Sequence, residues 1–65
     1  MNADIIKAMI GRRAQSNRDR AAEIDQHDGD QTTATACILI AMTLEAMLAD
    51  IEHYESVIDA QGEAA

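Results

Sequence analysis

Apolar side chains recur along the second half of this chain at alternating intervals of four and three residues. The repeat runs without a break through Thr33, Cys37, Ile40, Leu44, Met47, Ile51, Tyr54 and Ile58. An average spacing of about 3.5 residues is typical of a helix that packs along another helix. We refer to this set as the heptad seam. It predicts one long helix, helix 2, from about residue 32 to residue 60.

A second and weaker helix, helix 1, is predicted from about residue 2 to residue 25. Asn2 is a suitable N-cap, because its side chain can accept hydrogen bonds from N–H groups of the first turn. Apolar residues then follow at roughly helical spacing, at Ile6, Ile10, Ala14, Ala21 and Ile24. No large apolar side chain lies between Ile10 and Ile24, so we expect this helix to pack weakly through its middle.

Residues 26–31 are predicted to form the turn between the two helices. Gly29 can adopt the left-handed conformation that often follows a helix, and Asp30 or Thr32 can cap the next helix. A short connection makes the helices antiparallel neighbours. The predicted fold is therefore all-α: a two-helix antiparallel hairpin in a single domain over residues 1–65, with a short tail at 61–65.

Such a hairpin has few large apolar side chains with which to form a hydrophobic core. Alanine supplies 13 of the 65 residues, Phe and Trp are absent, and Tyr54 is the single aromatic residue. Chains of this size usually need a disulfide, a metal or oligomerisation. The lone Cys37 excludes an intrachain disulfide, and its spacing from His27 and His53 fits no zinc module. We therefore expect the chain to self-associate.

A second apolar face of helix 2 indicates how the chain self-associates. Leu39 and four further residues lie roughly opposite the heptad seam, and a helix that is apolar on two sides is buried on two sides. A monomeric hairpin covers only one of them. We predict a homodimer in the form of a four-helix bundle, with the interface at Ile38, Met42, Ala46 and Ala49.

The charges are distributed unevenly over a net charge of −7. All five basic residues lie in helix 1, whereas residues 23–65 hold ten acids and no Lys or Arg. Acids near the end of helix 2 oppose the helix dipole. They form either a solvated end or an anionic patch for a basic partner surface. The candidate partner-binding residues are Asp50, Glu52, Glu55 and Asp59.

The arginines of helix 1 also allow two interpretations. They either form ion pairs with nearby acids or contact the phosphates of a nucleic acid, which they would bind through counterion release. The candidate contacts are Arg12, Arg13, Arg18 and Arg20. In length, hairpin layout, acidic turn and expected dimer, the chain resembles the Rop-type plasmid proteins. That resemblance implies binding of paired RNA loops, with Asn17, Arg13 and Arg20 on the binding face.

The residue pattern does not indicate an enzyme. Neither Ser16 nor Ser56 has a recognisable base partner, and Cys37 lies on the heptad seam like a small apolar side chain. His53 has Asp50 three residues before it, which supplies at most two metal ligands. We expect no catalytic site, no metal, no cofactor and no small-molecule substrate.

The leading hypothesis is a small acidic non-enzymatic module that binds a protein. Phage- and plasmid-type inhibitors or adaptors of host proteins, for example anti-CRISPR proteins, are often similar in size and charge. The alternatives are a Rop-like RNA-binding regulator and a structural oligomerisation subunit. The first residues lack the features of a secretory signal, and the apolar stretch 36–51 is shorter than a membrane span. We therefore expect a cytoplasmic protein without a membrane partner.

Overall fold

The chain folds into two packed α-helices that form an elongated hairpin. The computed structural model describes the backbone of residues 3–64 and the side chains of residues 3–62. Helix α1 spans Ala3–Gln26 and helix α2 spans Gln31–Ala64, and the described backbone contains no strand. The molecule measures 56 × 17 × 14 Å. The predicted all-α hairpin is confirmed, whereas the predicted N-cap Asn2 lies outside the described residues.

Helix α2 is longer than expected. It continues through residues 61–64, where a short tail was predicted, and reaches 34 residues against the 24 of α1. Residues such as Gln61 favour the helix, and no proline ends it. Because both helices meet at the turn, the extra length of α2 projects beyond the start of α1. Gly11 does not interrupt α1.

The end of α1 is a Schellman motif in which two neighbouring residues have different roles. The left-handed residue is Asp28, with φ of 57°, and not Gly29 as predicted. The Gly29 N–H donates to the Ile24 carbonyl at 2.8 Å, and the Asp28 N–H donates to the Asp25 carbonyl at 3.4 Å. A Cβ at position 29 would lie 2.9 Å from Ile24 Cγ2 and 3.3 Å from the Ile24 carbonyl oxygen. Position 29 therefore favours glycine because the backbone there lies too close to Ile24 to leave room for a side chain.

Asp30 caps the start of α2. Its Oδ1 accepts a hydrogen bond from the Thr32 N–H at 3.0 Å, and its Oδ2 accepts one from the Thr33 hydroxyl at 3.1 Å. An aspartate at this position satisfies N–H groups that have no partner within the helix. Of the two predicted caps, the structure uses Asp30.

The most buried positions in the contact between the helices are held by small side chains. Ile24 packs on a cluster of Ala21, Ala34 and Cys37 near the turn, and Ala41 is 0% exposed. Small side chains allow the two helix axes to approach closely. The fully buried residues are Ala14, Ala21, Ala34, Cys37 and Ala41.

The buried side of α2 is rotated relative to the heptad seam. The seam members Cys37, Leu44 and Ile51 do lie against α1, buried or half-buried. The positions that complete the buried side are Ala34, Ala41, Leu48 and Glu55, each one residue after a seam member. Thr33 is also half-buried, whereas the remaining seam members are 48–65% exposed, namely Ile40, Met47, Tyr54 and Ile58. The positions that complete the buried side form a stripe of α2 beside the heptad seam, with the same seven-residue repeat. This stripe contains more alanine than the seam, so it fits the closer contact with α1.

Candidate interaction surfaces

Two apolar surfaces of α2 remain uncovered in the hairpin. The first, here called the Met47 face, consists of the exposed seam members Ile40, Met47, Tyr54 and Ile58. The second, here called the Met42 face, is the predicted dimer interface. All of its residues are exposed, namely Ile38, Met42, Ala46 and Ala49. Met42 and Met47 are five residues apart, about 140° around the helix, so the two faces lie on different sides of α2.

A charged pair crosses the Met42 face. Arg18 Nε donates to Glu45 Oε2 at 2.7 Å, and Arg18 Nη2 donates to Glu45 Oε1 at 2.5 Å. These hydrogen bonds lower the pKa of Glu45 and raise the pKa of Arg18. Glu45 follows Met42 by three residues and precedes Ala49 by four, so it shares their side of α2. The Met42 face is therefore interrupted by charge.

The acidic residues at the open end of the hairpin line a shallow groove. Lys7 Nζ lies 2.8 Å from Glu55 Oε1 and 3.4 Å from Asp4 Oδ1. The hydrogen bond to Glu55 is the main cause that raises the pKa of Lys7. The groove is lined by Lys7, Glu52, Glu55, Ser56, Asp59 and Ala60.

Three of the four predicted partner-binding acids thus lie together, and the fourth lies apart. Glu52 and Asp59 are seven residues apart, which places them on one side of α2. Asp50 precedes Asp59 by nine residues, about half a turn around the helix. Asp50 therefore lies on the opposite side, next to the Met47 face.

The four arginines do not form one strip. Arg18 is held by Glu45, whereas Arg13 and Arg20 share a side of α1 about 140° and 160° away from it. Arg12 and Arg13 line a shallow depression with Met9 and Ser16. Within residues 3–62, no ion pair involves Arg12, Arg13 or Arg20.

Asn17 is half-buried on the inner side of α1. Its Nδ2 donates to the Arg13 carbonyl oxygen at 2.8 Å. The side chain is therefore already engaged by its own helix. Of the three residues that the Rop resemblance points to, Arg13 and Arg20 are exposed and Asn17 is not.

The side chains with possible chemistry are separated in the hairpin. Cys37 is a free and buried thiol, and His53 is exposed and makes an edge-on contact with Tyr54 at a ring separation of 6.2 Å. No group of three His, Cys, Asp or Glu residues that could hold a metal is found in the described part of the chain.

Two exposed apolar residues of α1 were not predicted from the sequence as surface features. Ile5 is 60% exposed and Met9 is 64% exposed. Both lie outside the helical spacing that predicted the inner side of α1. Their signal was their position on the polar side of an amphipathic helix, where large apolar residues often mark a contact.

Helix α2 also meets the length and composition of a membrane span. Its segment Gln31–Gly62 contains a window with mean hydropathy 1.8, of which 17% is buried in the hairpin. The apolar segment is thus longer than the stretch 36–51 considered above. The central helix of a soluble bundle has the same composition, so these two properties do not distinguish the two environments.

Comparison with known proteins assigns no family to this hairpin. No protein-family model, no curated protein and no solved structure matches the chain.

Proposed function

We propose that this protein is a non-enzymatic interaction module that folds as a homodimer and acts by binding another protein. The distribution of side-chain size supports this proposal. Four alanines and Cys37 are buried in the helix contact and six larger apolar side chains are half-buried, while ten others are 37–65% exposed. A hairpin of this kind gains little from its own core, so its folded state depends on covering that surface.

A second copy of the chain would supply the missing core as a four-helix bundle. The expected result of sedimentation equilibrium at micromolar concentration is the mass of two chains. The mass of one chain across that range would contradict the homodimer.

The acidic groove is the proposed binding surface for the other protein. Three carboxylates line the groove, and Lys7 is the one cation among its lining residues. Glu55 is compensated by Lys7, but Glu52 and Asp59 make no ion pair within residues 3–62. Like charges held close together repel one another, so a cationic surface placed against them is attracted. The partner surface that fits this groove is basic.

The test is a charge reversal with a matched control. The double variant Glu52→Lys/Asp59→Lys is expected to lose capture of the protein partner from a bacterial lysate treated with nuclease. The control Glu23→Lys/Asp25→Lys changes the net charge equally at the other end of the hairpin and is expected to retain capture. Both variants should keep the helical circular dichroism spectrum. Equal capture by the two variants would exclude the groove as the binding surface.

A Rop-like RNA regulator is the second candidate, supported by Arg12, Arg13 and Arg20, which lack ion pairs among the described residues. Filter binding at two salt concentrations tests it, because each phosphate contact adds about 0.7–0.9 to the logarithmic salt slope. Arg13→Ala/Arg20→Ala should then flatten that slope.

The structural-subunit alternative predicts assemblies larger than a dimer in the sedimentation experiment.

A further inference from the structure

We infer that a second copy of the chain covers the Met47 face, with α2 of one protomer antiparallel to α2 of the other. This inference rests on the proposed homodimer and adds its interface and its orientation.

The exposed area of the hairpin matches what a dimer would bury. The accessible surface is 5060 Å², whereas a compact protein of 7.0 kDa exposes roughly 4,000 Å². The excess of about 1,000 Å² per chain is close to the ~800 Å² that each partner contributes to a standard protein interface. One further copy of the chain is therefore a sufficient occupant.

The Met47 face continues the contact that already exists inside the hairpin. Cys37, Leu44 and Ile51 form one edge of the heptad seam and lie against α1. The other edge is the Met47 face. In a four-helix bundle each helix packs against two neighbours, and the side chains between the two contacts form the central core. In the single hairpin, α1 covers one edge of the heptad seam and the other edge is exposed. A second neighbouring helix would cover the exposed edge.

The Met47 face is also the apolar surface that can be buried without burying charge. The heptad seam from Cys37 to Ile58 contains no charged residue. The Met42 face contains the Arg18–Glu45 ion pair, and a pair removed from water suffers a large desolvation cost. On α1, Met9 and Arg13 are four residues apart and share the side that faces away from Arg18. This is the same side as Met47, so Met9 extends the apolar surface.

Charge placement favours the antiparallel orientation. A two-fold axis near Met47, the middle of the seam, would place Ile40 against Tyr54 of the partner subunit. Ala21 and Cys37 belong to one cluster, so they lie at the same level along the hairpin. Because the helices are antiparallel, seven residues back along α1 and seven residues forward along α2 bring Ala14 level with Leu44. Asp50 would then lie level with Leu44 of the partner subunit, and hence with the partner subunit's Arg13.

Both residues of that expected contact are unpaired in the isolated hairpin. Neither Asp50 nor Arg13 forms an ion pair within residues 3–62, and both lie on the Met47 side of their helices. The two-fold arrangement would join them between subunits. A parallel arrangement would instead align the two acidic ends, where like charges repel.

The two methionines provide a matched test of the face. Met42 is 53% exposed and Met47 is 49% exposed, so the same substitution can be placed on each face. By sedimentation equilibrium, Met47→Glu is expected to weaken dimerisation at least tenfold, while Met42→Glu leaves it unchanged. A wild-type dimer that is dissociated by Met42→Glu and not by Met47→Glu would overturn the assigned face and leave the homodimer intact.

A second measurement covers the case in which Met47→Glu does not fold. In a Cys37→Ala background, Met47→Cys should be joined to its partner by a short bis-maleimide reagent, and Met42→Cys should not. The reverse pattern would overturn the inference. A wild-type chain that stays monomeric and floats with phosphatidylcholine vesicles would overturn the homodimer itself, because a bilayer would then cover the apolar surface.

The orientation is tested by exchanging charges. Asp50→Arg is expected to weaken the dimer about tenfold, since it places like charges together, and Arg13→Asp/Asp50→Arg should restore the affinity. If the double variant is no tighter than Asp50→Arg alone, the antiparallel pairing is wrong.

Discussion

Asp28 holds the left-handed conformation at the end of α1, and the following Gly29 provides the space that Ile24 occupies. Aspartate tolerates positive φ better than most residues, yet at a cost that glycine avoids. Its negative charge also lies at a helix C-terminus, where the dipole disfavours it. The turn therefore contains one strained residue and one indispensable glycine, side by side.

Substitutions at these two positions should have opposite effects. Asp28→Gly is expected to raise the free energy of unfolding by about 0.5–1 kcal/mol, because the left-handed strain is removed. Gly29→Ala should lower it by about 1 kcal/mol, because the added Cβ collides with Ile24. Urea unfolding at one protein concentration measures both. Asp28→Asn separates the contribution of charge, and a stabilising Gly29→Ala would refute the steric role.

The Arg18–Glu45 pair predicts a dependence of stability on pH. The arginine lowers the pKa of Glu45 from its ordinary value of 4.5. A carboxylate with a lowered folded-state pKa stabilises the fold above its unfolded value, and that contribution is lost as the pH falls through the lowered pKa. Glu45→Gln should therefore be less stable than the wild type at pH 7, and the difference should shrink as the pH is lowered to about 3.

The effect at Glu45 is expected to be small, because both side chains are partly exposed. Glu23→Gln serves as the control, since Glu23 is exposed and makes no ion pair among the described residues. Thermal unfolding of both variants at the two pH values measures the difference. A Glu45→Gln deficit that persisted undiminished at about pH 3 would show that the carboxylate charge is not its cause.

At the scale of the helices, the hairpin is held by a narrow line of small residues, and Ala41 is its most buried member. Helices that meet through alanine approach closely, and ten of the larger apolar side chains remain 37–65% exposed. The placement of alanine in the contact between α1 and α2 therefore also leaves the Met42 and Met47 faces exposed. Packing inside the hairpin and association between hairpins are linked through this size distribution.

Enlarging Ala41 should separate the helices. Ala41→Leu is expected to lower the free energy of unfolding by about 1–3 kcal/mol, the typical cost of overpacking. Ala46→Leu makes the same change at an exposed position of α2 and should stay within about 0.5 kcal/mol of the wild type. Chemical denaturation of both variants decides this. A strong effect at Ala46 with none at Ala41 would place the helix contact on the Met42 face.

The whole molecule is too extended to be stable through its own core. Its radius of gyration is 15.9 Å, whereas a compact domain of this length has about 11 Å. Most of each helix is in contact with solvent along its length. A partner that covers one long side would bring the shape and the buried area into the range of an ordinary globular domain.

The stability of such a molecule should depend on protein concentration. For a dimer that unfolds to monomers, a tenfold higher concentration adds about 1.4 kcal/mol to the stability of the folded state. The midpoint of thermal unfolding should therefore rise between about 1 and 100 μM. Circular dichroism at these concentrations measures it. A midpoint that is independent of concentration would show that the hairpin is stable alone.

Local interactions made the hairpin predictable from the sequence. The turn, observed at residues 27–30 within the predicted 26–31, and the cap Asp30 act through neighbours in the chain, and the repeat from Thr33 to Ile58 lies within one continuous helix. The uneven charge is likewise a property of sequence. It indicated the acidic end, of which Glu52, Glu55 and Asp59 share one groove.

Only the tertiary structure decided which side of α2 lies inside the hairpin. A repeat of about 3.5 residues marks a stripe, but α2 carries adjacent stripes with the same period, and spacing cannot rank them. The choice depends on how closely two helices can approach, which is a property of both surfaces together. Alanines at positions 14, 21, 34 and 41 lie where the two helices approach most closely, so the stripe of α2 that carries Ala34 and Ala41 lies inside and Met47 faces outward.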